Sequence, residues 1–164
     1  PMLLLDALAA SRRKNDVAVV WVGSGPLEGA IRDRLAASGL DARFVGFKNQ
    51  TELGAFYAMA DVHVLPSDKE TWGLVVNETM NYGLAQIVSD RVGSCRDLVK
   101  NRGTGFIFQS GDAQALAAII DHYAEHPGEA RIHGQVARRL IDQFGVDRAV
   151  DGIVEGIGRL LKKS

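Results

Sequence analysis

Glu70 and Glu78, eight positions apart in the run D-V-H-V-L-P-S-D-K-E-T-W-G-L-V-V-N-E from Asp61 to Glu78, are the carboxylates whose placement invites a chemical reading. Glu70 falls in a loop after an apolar run and Glu78 inside a helix expected to begin near Gly73, so roughly a turn or more of helix separates them. That offset argues against the acid-and-nucleophile pair of a glycoside hydrolase, whose carboxylates face one bond from about 5 to 10 Å apart. Ionised carboxylates only accept hydrogen bonds, which suits the two residues to the hydroxyls of a sugar or a ribose. Gly73 and Leu74 would present free helix amides to a diphosphate. Taken alone, the same residues fit an ordinary helix start, with Glu70 stabilising it electrostatically and Glu78 in solvent.

Three further loops share that position after a strand. Gly23-Ser24-Gly25-Pro26 follows the apolar run Val17 to Val22 and precedes a helix. Its glycines allow a tight turn and close approach of a ligand, and Pro26 suits a first helical position. The spacing is not that of a dinucleotide fingerprint, because Gly29 comes too late, and no P-loop G-K-[ST] follows. Phe44-Val45-Gly46-Phe47, followed by Lys48, ends the next run, and open α/β sheets bind ligands beyond such strand ends. Asp90-Arg91-Val92-Gly93-Ser94-Cys95-Arg96-Asp97 supplies another glycine-bearing loop. Cys95 has no base beside it and reads as a small buried thiol. His63 reads as a core or crevice-lining side chain, and His122, His126 and His133 lack ligand spacing to any acid cluster, so no metal site is expected.

The elements that must position these loops are short β-branched runs alternating with stretches of helical period, the pattern of βα units around a parallel sheet. Strands are expected at Val17 to Val22, Ala42 to Phe47, Val62 to Pro66, Gln86 to Ser89 and Phe106 to Phe108. Helices are expected at Pro26 to Ala37, Thr51 to Met59, Leu74 to Tyr82 and near Arg96 to Lys100. After the last strand only helices follow, at Asp112 to His126, Gly128 to Gln143 and Val146 to Lys163. The fold class is therefore α/β, Rossmann-like, with helices on both sheet faces and an all-helical C-terminal segment. The 164 residues fit a single domain. A net charge of −1 offers nothing to a polyanion, which excludes nucleic acid as a partner by bulk attraction. One cysteine excludes an internal disulfide, and no apolar run is long enough to span a bilayer; a cytoplasmic protein is expected, at most touching the inner face of a membrane.

Together these motifs resemble the retaining glycosyltransferases of the two-Rossmann GT-B architecture, in particular the group called family 4. The resemblance runs through G-S-G-P at 23 to 26, F-V-G-F at 44 to 47, Y-A-M-A-D-V-H-V-L-P-S at 57 to 67, E-T-W-G-L-V-V-N-E at 70 to 78, V-G-S-C-R-D-L-V at 92 to 99 and G-T-G-F at 103 to 106. It implies a domain that binds a nucleoside-diphosphate sugar for transfer with retention at the anomeric carbon. It further implies that Glu70, the catalytic candidate, contacts hydroxyls of the transferred sugar and that Glu78 contacts the ribose. Thr71, Trp72, Gly73 and Leu74 would offer amides to the diphosphate or sugar. Gly46, Phe47 and Lys48 would meet the base, and Gly23, Ser24 and Gly25 would line the crevice facing an acceptor domain. No metal or other cofactor is required by such enzymes.

Two departures stand out. The family's E-A-M-A-x-G-x-P-V reads E-T-M-N-Y-G-L-A-Q here, placing Ala85 and Gln86 where proline and an apolar residue are usual. The family's first donor-domain strand and the Arg and Lys after it have no counterpart, and Arg12, Arg13 and Lys14 are no substitutes because they lead into a strand. The expectation is a fragment lacking that strand and the N-terminal domain through which an acceptor sugar or lipid-linked glycan would bind. Loss of the strand from a sheet ordered 3-2-1-4-5-6 should expose backbone on two neighbours. A non-catalytic sugar-nucleotide-binding regulatory module and a GT-B-type sugar-nucleotide epimerase remain alternatives. Ile153, Ile157, Leu160 and Leu161, with Arg159, Lys162 and Lys163, leave a peripheral membrane contact open, although in this family a late helix more often packs across the interdomain cleft.

Overall fold

The computed structural model describes residues 1–99 and 103–161. Helix α1 (Met2–Ala10) opens the chain and buries Leu4, Leu5, Ala7 and Leu8. Strands β1 (Val19–Trp21) and β2 (Ala42–Phe44) pair in parallel with Val19 opposite Ala42. Strands β3 (Val62–Leu65), β4 (Ala85–Ser89) and β5 (Gly105–Phe108) form a second parallel sheet in that order. The connections are α2 (Glu28–Ser38), α3 (Gln50–Met59), α4 (Leu74–Asn81) and a π-helical turn at Cys95–Val99. Helices α5 (Ala113–Glu125), α6 (Pro127–Ile141) and α7 (Val146–Leu161) complete the order.

The α/β class and the strand sequence are as the residue pattern implies, with three corrections. β1, β2 and β3 are shorter than the expected runs, whereas β4 and β5 each begin one residue earlier. Helix α2 starts at Glu28 rather than Pro26, because the chain turns first and the Glu28 amide donates to Gly25 O at 3.0 Å. The turn at Cys95–Val99 replaces a regular short helix, and the expected Lys100 end lies outside the described residues, as do Lys162 and Lys163.

Among the described residues the parallel strands fall into two separately paired sets. β1 pairs only with β2, and β3 pairs only with β4, so each offers one edge without a ladder. The sheets nevertheless share a core: Val19 and Trp21 from one and Val62 and Val64 from the other pack against the cluster of Leu4, Leu8, Ile87, Phe108 and Leu116. A second cluster lies on the opposite face, where Val76 and Met80 of α4 meet Val88, Val92 and Leu98. β4 is buried at all five positions, consistent with a run that shows no polar alternation.

Gln86 sits inside this interior with no exposure, and its polar atoms are matched. Its amide nitrogen donates to Leu84 O at 2.9 Å and Thr79 Oγ1 at 3.2 Å, while its oxygen stands 2.8 Å from His63 Nδ1. With the oxygen turned to His63, Nδ1 must carry the proton. Burial pushes the imidazole below its ordinary value, against the smaller opposing effect of the Gln86 bond.

Candidate functional site

The candidate residues lie in loops after β1, β2 and β3 and on α4. The first two loops are joined by backbone, since the Gly23 amide donates to Gly46 O at 2.9 Å. Ser24 and Gly25 are exposed beyond that bond. No helix begins at Pro26 as expected, and Glu28 occupies the first turn of α2.

After β2, Phe47 projects into solvent with 72% of its surface exposed. Asn49 then caps α3, its side chain accepting from Thr51 N and Glu52 N, while Glu52 accepts from the Asn49 amide. This capping box satisfies amides that would otherwise be free for an anion. Lys48 Nζ lies 3.4 Å from Glu52 Oε1. The Asn49 amide chiefly, and Lys48 to a lesser degree, hold the Glu52 carboxyl below its ordinary value against the opposing effect of burial. Phe47, Lys48, Asn49 and Gln50 line a cavity of about 630 Å³ together with Glu78.

The Glu70 loop is zipped to the loop after β4. The Glu70 amide donates to Arg91 O at 3.2 Å, Gly93 N to Glu70 O at 2.9 Å and Ser94 N to Trp72 O at 3.0 Å. At Gly93 the loops press backbone to backbone, so that a Cβ would collide with the Thr71 carbonyl. Glu70 Oε1 accepts from the Trp72 amide at 3.4 Å, and Trp72 Nε1 donates to Asn77 Oδ1 at 2.9 Å. Gly73 precedes α4 at φ 87, a left-handed conformation that glycine adopts without strain. The amides of Gly73 and Leu74 stand at the start of α4, where helix geometry offers them no internal acceptor.

Glu78 is exposed on α4, and its Oε2 accepts from Tyr57 Oη at 2.9 Å. The structure thus brings Glu78 together with Phe47 and Lys48 around one cavity. Glu70, residues 71–74, Gly46 and the Gly23–Gly25 loop lie outside that lining, with Gly23 bonded to Gly46. Tyr57 is the hydrogen-bond partner of Glu78 that sequence reasoning passed over. Its sole signal was membership of the Y-A-M-A-D motif, since nothing in spacing alone joins positions 57 and 78.

Cys95 is buried, which pushes its thiol up and removes it as a nucleophile. His122 Nε2 stands 2.8 Å from Glu129 Oε2, a contact between α5 and α6. Among the described residues no group of three or more His, Cys, Asp or Glu could hold a metal ion. No helix among them is long and apolar enough to cross a membrane.

The family model for glycosyl transferases group 1 matches residues 1–140. The chain belongs to that family. It is 31% identical over 129 residues to the sulfoquinovosyl transferase SQD2 of Arabidopsis thaliana, a match covering 77% of this chain and 25% of that protein. It is 30% identical over 158 residues to the D-inositol 3-phosphate glycosyltransferase of Streptomyces avermitilis, covering 93% of this chain and 34% of that one. The chain therefore spans about a quarter to a third of these curated relatives. Among solved structures it resembles Anabaena HepE in complex with UDP, with a TM-score of 0.82, 24% identity, and coverage of 96% of this chain and 44% of that chain. The sucrose-phosphate synthase of Thermosynechococcus elongatus gives a TM-score of 0.77 at 27% identity, covering 98% of this chain and 43% of that chain. These neighbours share the GT-B glycosyltransferase architecture expected from the motifs, and the group 1 domain of this chain is a carbohydrate-transferase domain.

Proposed function

We propose that this domain binds a nucleoside-diphosphate sugar for a retaining glycosyltransferase, with the acceptor bound by parts of the protein outside these residues. The observation that carries the reading is the cavity after β2, lined by Phe47 and Lys48 and, from α4, by Glu78. HepE, of the same fold, is a protein whose structures hold UDP and UDP-glucose, which supports a nucleotide in such a place.

In this reading Gly46, Phe47 and Lys48 meet the base and Glu78 accepts from a ribose hydroxyl. Glu70 accepts from hydroxyls of the transferred sugar, and amides of Thr71, Trp72, Gly73 and Leu74 face the diphosphate or sugar. Ser24 and Gly25 border the crevice on the acceptor side. The leaving diphosphate gathers negative charge as the glycosidic bond breaks, and amides fixed in advance by the zipped loops lower that barrier without reorganising. No metal is needed in this scheme. Lys48 is paired with Glu52 and Arg12 with Asp121, so in this reading neither is the principal cation for the diphosphate. The domain by itself is accordingly inactive in transfer, and the enzyme works in the cytoplasm.

The test is a calorimetric titration of the folded protein with UDP, GDP and ADP, repeated on Glu78→Ala. Binding of one base, weakened at least about tenfold in the variant, is the expected result. Absence of binding to all three removes the donor-site reading.

A further inference from the structure

Glu78 belongs to two hollows at once. One is the cavity with Phe47 and Lys48; the other, of about 270 Å³, is lined by Gln50, Gly54, Tyr57, Asn81 and Tyr82. Tyr57 approaches the carboxylate from this second side and donates to Oε2, leaving Oε1 without that partner. We propose that Tyr57 is a positioning residue, which turns Glu78 so that its remaining acceptor capacity faces the nucleotide cavity; the proposal rests on the donor-binding reading above.

The surroundings hold Tyr57 to this task. Its ring packs against Tyr82 with centroids 5.4 Å apart and planes at 59°, an arrangement favourable to aromatic pairs. Tyr82 in turn approaches α3 at Gly54, where an added Cβ would stand 2.7 Å from its Oη. The phenol is thus fixed from α3 and from the end of α4, the helix that carries Glu78. Burial first, and then the Glu78 carboxylate, push the phenol upward, so the proton stays on oxygen and Tyr57 remains the donor. An exposed glutamate on a helix would otherwise sample several rotamers, and a ligand would have to restrict them on binding.

The test reads the ribose hydroxyls separately from the rest of the nucleotide. The probes are the nucleoside diphosphate that the protein binds and its 2′,3′-dideoxy form, titrated into the wild-type protein, Tyr57→Phe, Glu78→Ala and the double variant, with melting temperatures measured in parallel. Tyr57→Phe keeps the ring that packs on Tyr82. The expected result is a loss of about three- to tenfold for the ribonucleotide in Tyr57→Phe, no change for the dideoxy form, and no further loss when Tyr57→Phe is added to Glu78→Ala. Equal losses for both probes, or no loss for either, overturn the positioning role while leaving the donor site standing. A wild-type protein that binds no nucleoside diphosphate overturns the donor reading, and the positioning role with it.

Discussion

Gly73 stands at φ 87 with Val92, Leu65 and the Glu70 side chain 3.0, 3.2 and 3.3 Å from where a Cβ would be. Gly73→Ala therefore meets both backbone strain and crowding, and one crowded group is Glu70 itself. A loss of about 1 to 3 kcal/mol is expected from the urea midpoint, together with a fall in transfer by the complete enzyme that exceeds what reduced folding explains. Gln86 makes a contrasting case. It occupies a position where an apolar residue is usual in the family resembled, and that departure is visible in the sequence. Its compensation is not, because His63 comes opposite Gln86 only through the register of β3 on β4. Gln86→Leu is expected to cost about 1 to 3 kcal/mol by leaving the His63 N–H buried without its acceptor. The double variant His63→Val with Gln86→Leu should recover most of that loss. A double-mutant cycle by denaturant unfolding measures it, and strictly additive losses would mean that the pair is not coupled.

At the scale of elements, the helices were expected from their period, and the structure shows what starts them. Asp112 caps α5 through Ala115 N, Pro127 stands in the first turn of α6, one residue before the expected start, and Asn49 with Glu52 caps α3. Pro26 misled because a favourable first-turn residue was present while the turn at Gly25 to Glu28 postponed the helix. The end of α1 depends on a distant partner that no local pattern reveals. Ser11 Oγ donates to Asp121 Oδ1 at 2.5 Å, and Arg12 and Arg13 bring backbone amides and the Arg12 guanidinium to the same carboxylate on α5. Burial works to raise the Asp121 carboxyl, but Ser11, Arg12 and the two amides together outweigh it and hold the group below its ordinary value of 3.8. Stability from a depressed carboxylate is present in full above its unfolded value and is lost as pH falls through the lower folded one. The α1–α5 contact is thus expected to weaken only below about pH 4. Asp121→Asn should lower stability near neutral pH and flatten that acid dependence, as read from urea unfolding at successive pH values. An unchanged acid slope would show that other carboxylates carry it.

Over the whole molecule, the α/β class follows from the alternation of apolar runs and helical stretches, whereas of the glycine-bearing loops only the one after β2 lines the cavity. The division into two separately paired sets leaves one open edge each on β1 and β3, and the sequence reading expects exposed backbone on two such neighbours where a central strand is lacking. The division has an energetic consequence. β4 is buried at every position and paired on both sides, with β3 along Val62 to Leu65 and β5 along Gly105 to Phe108. β1 and β2 share three register pairs, and Val20 and Arg43 are exposed. Their attachment to the rest runs through Val19 and Trp21 on the shared core, not through a ladder. Ladder hydrogen bonds and burial both favour β3–β4–β5, so the two sheets should open as separate units, the smaller one first. Native-state hydrogen exchange at low denaturant is expected to show Val19–Trp21 and Ala42–Phe44 exchanging at least about tenfold faster than Ile87–Ser89. Equal protection of both sheets, with the same denaturant dependence, would show instead that the shared core couples them into one cooperative unit. In the expected case, a nucleotide that binds the cavity after β2 should slow exchange in β2 more than in β4, since ligation adds free energy to the less stable unit.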